Sequence, residues 1–283
     1  KLGCPEHCLI QDVETRWNSS YYMLKRLTEQ RRALSAANAE LNNKFEMTQA
    51  QWSLAEKVMN VLGPIEEATR ECSKESASAA LVIPVISAIR SKLKVGNDDT
   101  GVKSMKRDMM DSLDKRYGDA TQDKTYVCST LLDPRFKDML FEDKQNAKAL
   151  LLSECELVDL NDDQVIKPVK RARCEPESGG FWDFISDKQG ANSDITSCDS
   201  EVNAYFAEPC ISPKCDPLEF WRCHEQQYPV LQVLARKFLC MQCTSVPSER
   251  LFSSAGQVVS DRRARLNANT TEKILFTQKN MNL

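Results

Sequence analysis

Thr244-Ser245-Val246-Pro247-Ser248-Glu249-Arg250-Leu251-Phe252-Ser253-Ser254-Ala255-Gly256 is the stretch of this 283-residue chain that carries most of its meaning. Residue by residue it opens a helix. Ser245 or Ser248 offers a capping hydroxyl, and Glu249 then falls in the first turn, where the backbone dipole favours a negative charge. The same carboxylate also suits hard divalent cations, which prefer oxygen ligands. Leu251 and Phe252 follow at once. Phe238 and Leu239 before them, with Ile274, Leu275 and Phe276 after them, supply apolar surface in short helical segments. Short amphipathic helices bury such faces against a partner, or else they close the chain's own core.

Outward from this stretch, apolar residues recur at helical spacing. Trp17, Tyr21, Leu24 and Leu27 form one stripe, after Asn18 and Ser19 as capping side chains. Trp52, Ala55, Met59 and Leu62 form a second that starts at Thr48, with Gly63-Pro64 expected to end or kink it. Val82, Ile86, Ile89 and Leu93 make a third, with Pro84 near its first turn. Val102, Met105, Met109 and Leu113 make a fourth. Asp216-Pro217 opens a further segment, and Leu231, Leu234, Phe238 and Met241 form a clear stripe after it. A last helix is expected near Asn269, with Glu272 as its capping-box partner. Together these read as a mostly α fold of bundle type.

Thr244 to Gly256 resembles the C-terminal signature of the hAT superfamily of DNA transposases. A second family element, Arg16-Trp17 in DVETRWNSSYYML, lies near the N-terminus. The phrase LLDPRFK is similar to one inside the family's helical insertion, so a helix is expected around Tyr126–Leu132, although its composition also suits a strand. More specifically, the chain resembles the BED zinc-finger proteins derived from such transposases. The resemblance implies a helical insertion plus the C-terminal helices of a split RNase H-like domain, with few or no strands. It implies that the start and end of the chain pack together, and that the C-terminal helices, without their sheet, expose apolar surface. The expected organisation is a helical insertion region with the Arg-Trp motif over 1–156, a linker over 157–200 and a dimerisation region over 201–283.

The family's chemistry needs three acids around paired divalent metals, one ion activating the nucleophile and the other stabilising the leaving oxygen. Glu249 corresponds to the third. The two Asp residues are expected before Lys1, since Asp12 sits too close to the Arg-Trp motif to match either. This chain alone is therefore expected to be inactive and without a cofactor; Mg2+ or Mn2+ enters only with a whole, active transposase. In the family the tryptophan of the Arg-Trp motif holds a flipped base at a cleaved DNA end. Trp17 suits that by stacking, worth about 1–3 kcal/mol per base, with Arg16 beside it for phosphate. Alternatively Trp17 heads the Tyr21–Leu24–Leu27 core stripe. The family's C-terminal block forms an intertwined subunit interface, which assigns Phe238, Leu251, Phe252, Ile274, Leu275 and Phe276 to dimerisation.

Charge, cysteine and hydropathy narrow the classes. A net charge of −3 gives no global argument for nucleic-acid binding, but its distribution is uneven. Asp138–Asp163 carries a balance of −6 and Thr244–Leu283 a balance of +3, with Arg262, Arg263 and Arg265 clustered where phosphates could be met. Residues 157–200 lack periodic apolar positions and read as a linker. There Lys167, Lys170, Arg171 and Arg173 form either a nuclear-import signal or a solvated basic patch. Twelve Cys and two His include a single CxxC, Cys240–Cys243, with no second ligand pair, which argues against structural zinc. Scattered thiols without a signal peptide fit a reducing compartment, with Cys as a small buried hydrophobe. No run reaches the roughly 18 apolar residues of a membrane span. The start at Lys1, without Met, reads as a fragment or processed product. Two functions stay open: a nuclear, domesticated transposase-derived protein that self-associates and binds double-stranded DNA in full length, or the C-terminal part of an active hAT transposase.

Overall fold

A computed structural model describes residues 5–41, 47–161, 198–259 and 266–281. Among these residues the chain is helical, with twelve α-helices, one 3-10 turn (Ala79–Leu81) and no strand. A lone antiparallel bridge joins Ser78 and Gln242. The helices are α1 (Trp17–Glu29), α2 (Arg31–Leu41), α3 (Gln49–Cys72), α4 (Val82–Leu93), α5 (Lys103–Tyr117), α6 (Lys124–Leu131), α7 (Lys144–Asn161), α8 (Cys198–Ala207), α9 (Pro217–Cys223), α10 (Pro229–Leu239), α11 (Val246–Val258) and α12 (Ala268–Asn280). They divide into two compact units. The first comprises Lys1–Ala77, Val85–Gly118 and Thr244–Leu283, and the second Ser78–Pro84 and Asp119–Cys243.

The second unit holds the larger core. Val127, Leu131, Leu132, Leu151, Tyr205, Tyr228, Leu231 and Leu234 are fully buried there, contributed by α6, α7, α8, α10 and their flanks. Its polar groups are matched rather than excluded, as burial requires. Trp221 donates its indole N–H to the Leu132 carbonyl at 2.8 Å, and the Tyr205 hydroxyl donates to the Leu131 carbonyl at 3.1 Å. Glu201 on α8 accepts the backbone N–H groups of Val230 (3.2 Å) and Leu231 (2.7 Å), capping α10 from a neighbouring helix. Cys128 and Cys155 are buried in this core as small hydrophobes. Burial pushes the Cys128 thiol up to about 12. Cys8, Cys210, Cys215, Cys223 and Cys240 are exposed, so burial accounts for only some of the thiols.

The first unit is more loosely built. α1 lies against α3, and the Tyr22 hydroxyl bonds the buried Glu66 carboxylate across that contact. Val61, Leu93 and Val102 form a small buried cluster with Val58, Ile89, Met105 and Met109 around it. Gly101 adopts φ +91°, and a Cβ there would stand 3.0 Å from a Leu54 methyl, so only glycine suits this turn. The start and end of the chain do come together in this unit. Thr244 donates its hydroxyl to the Cys72 carbonyl at 3.2 Å, and Lys279 on α12 pairs with Glu75.

Three local expectations need correction. Gly63-Pro64 neither ends α3 nor separates its halves. Thr48 and Gln51 form a full capping box at its start, and buried Trp52, Ala55, Val61 and Glu66 anchor both sides of the proline. Gly63 packs beside the Tyr21 ring, whose hydroxyl would lie 3.6 Å from an added Cβ, an ordinary contact. One lost backbone bond is offset by tertiary packing on either side. α1 begins at Trp17, with Arg16 rather than Asn18 or Ser19 at its N-cap. The Ser19 hydroxyl instead bonds the Asp12 carboxylate. α12 begins at Ala268, because Asn267 accepts the Thr270 N–H at 2.8 Å and takes the cap from Asn269. The Tyr126–Leu132 stretch is helical as expected, its start fixed by Asp123, which accepts the N–H groups of Thr125 and Tyr126.

Candidate self-association face

α11 and α12 contact each other within the first unit and leave an apolar groove of about 710 Å³. Leu251, Val259, Leu266, Leu275 and Phe276 line it, with Glu272 and Lys279 among its polar lining residues. The helices form for local reasons. Pro247 sits in the first turn of α11, where its missing N–H costs nothing. Asn267 caps α12, and Lys279 lies in its last turn, at the negative end of the helix dipole.

This face exposes unusually large apolar side chains. Phe252 is 74 % exposed, Phe276 70 % and Met281 76 %. Leu251, Val259 and Ile274 are also exposed, and Leu275 is half-buried. Exposed apolar surface of this kind is a mark of interaction sites. Burying one phenylalanine is worth about 1.5–3 kcal/mol. Phe238 is different: it is buried in the core of the second unit and is used by the chain itself. Sequence reading missed Val259, Leu266 and Met281, which follow the helices or precede them and so fall outside a helical stripe.

Glu249 occupies the first turn of α11, exposed, and accepts the Ser245 hydroxyl at 2.6 Å. Ser245 stands at the N-cap, but its hydroxyl goes to that carboxylate and not to a backbone N–H. Among the described residues, no three His, Cys, Asp or Glu side chains gather where a metal would sit. Without such a cluster among the described residues Glu249 offers a single carboxylate, which cannot hold a divalent ion by itself, and no catalytic step follows from it. His7 bonds the Glu29 carboxylate at 3.0 Å. Trp17 is 44 % exposed at the head of α1, while Tyr21, Leu24 and Leu27 of the same stripe are half-buried. Arg16 precedes it, also exposed. The arginines 262, 263 and 265, the lysines 167 and 170 and the arginines 171 and 173 lie outside the described residues.

Residues 201–281 match the hAT family C-terminal dimerisation region, which contains the whole of this face. The chain carries a hAT-type dimerisation region. Residues 2–61 match the ZBED1 RNase-like helical domain, so both ends of the chain carry a recognised part. Over its full length it is 31% identical to the human zinc finger BED domain-containing protein 4, of which it spans 25%. It is 26% identical to the human zinc finger BED domain-containing protein 6 over 96% of this chain and 32% of that protein. To the putative AC transposase of Zea mays it is 23% identical, over 98% of this chain and 38% of the transposase. The chain thus spans a quarter to two-fifths of the length of these relatives. No helix among its described residues is long and apolar enough to cross a membrane.

Proposed function

We propose that this chain is the self-associating C-terminal segment of a transposase-derived nuclear protein that binds double-stranded DNA when whole. The observation that carries this reading is the exposed face of α11 and α12, centred on Phe252 and Phe276, inside the matched dimerisation region. Self-association would cover those rings, and water penalises their exposure otherwise. DNA contact rests on the hAT relationship, on exposed Arg16 and Trp17, and on the arginines at 262, 263 and 265. Nuclear placement follows from that DNA role.

Hydrogen exchange at low and high protein concentration tests the self-association. Amides of Val246–Val258 and Ala268–Asn280 slow as concentration rises, while those of α6 and α10 do not change. Uniform exchange at both concentrations counts against it.

A second reading makes the whole protein an active hAT transposase, with Glu249 as one acid of an Mg2+ or Mn2+ site completed by residues beyond this chain. Its support is the exposed position of Glu249 in the motif, held there only by the Ser245 hydroxyl among the contacts described. Full-length protein carrying Glu249→Gln, assayed for metal-dependent cleavage of transposon ends, separates the two readings. Loss of a measurable cleavage activity favours the enzyme, and absence of activity in the unsubstituted protein removes it.

A further inference from the structure

The self-association face has two parts that cannot satisfy each other within one chain. One is the groove between α11 and α12. The other is Phe252, which is 74 % exposed and does not line that groove, although its neighbour Leu251 does. Successive residues point about 100° apart around a helix, so Phe252 is aimed away from the groove its own helix borders. A knob and a hole on one short element, each without its complement, describe a surface complementary to a copy of itself. A two-fold axis uses the same patch on both partners and so satisfies both parts at once.

The geometry points to a reciprocal contact in which Phe252 of each copy enters the α11–α12 groove of the other, and this rests on the self-association reading above. Three features fit that occupant. The groove is lined mostly by aliphatic and aromatic carbon, the environment a phenyl ring prefers. Arg250, exposed two residues before the knob, is opposite in sign to the exposed Glu272 beside the groove. Gly256 follows Phe252 by four residues on the same side of α11, and nothing lies within 4 Å of where its Cβ would stand. The helix is therefore bare beside the knob, and a partner helix can approach closely there.

Complementation between two variants tests the arrangement. Phe252→Asp removes the knob and keeps the groove. Ala268→Trp fills the groove from an exposed lining position and keeps the knob. Circular dichroism establishes that each variant retains the helicity of the unsubstituted chain. In sedimentation runs the unsubstituted chain dimerises, and each variant alone is monomeric at the same concentration. An equimolar mixture of the two forms a heterodimer with one intact contact, at least tenfold weaker than the unsubstituted dimer. A mixture that stays monomeric beside a dimeric unsubstituted chain overturns the reciprocal contact while self-association stands. Either variant dimerising alone as well as the unsubstituted chain also overturns it. A monomeric unsubstituted chain overturns both readings together.

Discussion

Gly256 and Lys137 show how differently single residues are used in the two units. Gly256 lies inside α11 with open space around it, so no contact within the chain requires a glycine. Glycine in a helix interior costs about 0.5–1 kcal/mol relative to alanine. Gly256→Ala is expected to stabilise a monomeric Phe252→Asp background by about that free energy, read as a higher melting temperature by thermal circular dichroism. Lys137 is the opposite case. It is 2 % exposed, sits at φ +48°, and donates its ammonium to the carbonyls of Tyr205 (2.6 Å) and Glu208 (2.8 Å) at the end of α8. Burial lowers its pKa, against the pull of nearby Cys210, Glu208 and Asp138. Removing the ammonium strands two carbonyls, each costing about 1–3 kcal/mol. Lys137→Met is therefore expected to lower the urea midpoint by the equivalent of about 2–4 kcal/mol; an unchanged midpoint would show that solvent replaces the lysine.

Among the elements, α7 supplies the clearest electrostatic link. Glu154 is almost fully buried, paired with Lys124 and with Lys237 at 2.8 Å. Burial alone would raise its carboxyl, but hydrogen bonds from the two lysines outweigh that and hold it below its ordinary value of 4.5. The folded carboxyl then releases its proton at lower pH than the unfolded one. Its contribution is complete above about pH 4.5 and is lost as pH falls toward the folded value. Denaturant midpoints measured from pH 6 to pH 3 should fall for the unsubstituted chain and fall less for Glu154→Gln, which starts lower. Equal slopes would contradict this pairing. Helix α3 shows the limit of local signals. Its capping box at Thr48 and Gln51 is legible in the sequence, yet Pro64 reads as a stop until the flanking burial is known. The cap of α12 slipped for a similar reason, since Asn267 and Asn269 are equivalent candidates by composition and only the backbone bond to Thr270 chooses between them.

At the scale of the whole molecule, the mostly helical fold was legible because apolar spacing at three and four residues is a property of the chain itself. The union of both chain ends in the first unit came from the Thr244–Gly256 and Arg16-Trp17 motifs, not from periodicity. What stayed hidden was the allocation of apolar residues between core and surface. Phe238 and Phe252 look alike in sequence, but α10 is enclosed by α6, α7 and α8, whereas α11 meets α12. Glu249 was legible as a helix-start acid, and its partnership with Ser245 was not, because that hydroxyl had been the expected cap. The association of two copies through α11 and α12 is tested most directly by the solution mass of the 283-residue chain, measured by light scattering across a hundredfold range of concentration beside Phe252→Asp and Leu275→Asp. A mass of twice 32.1 kDa that halves in either variant is the expected result. A folded chain of single mass at every concentration, unchanged by both substitutions, would contradict it.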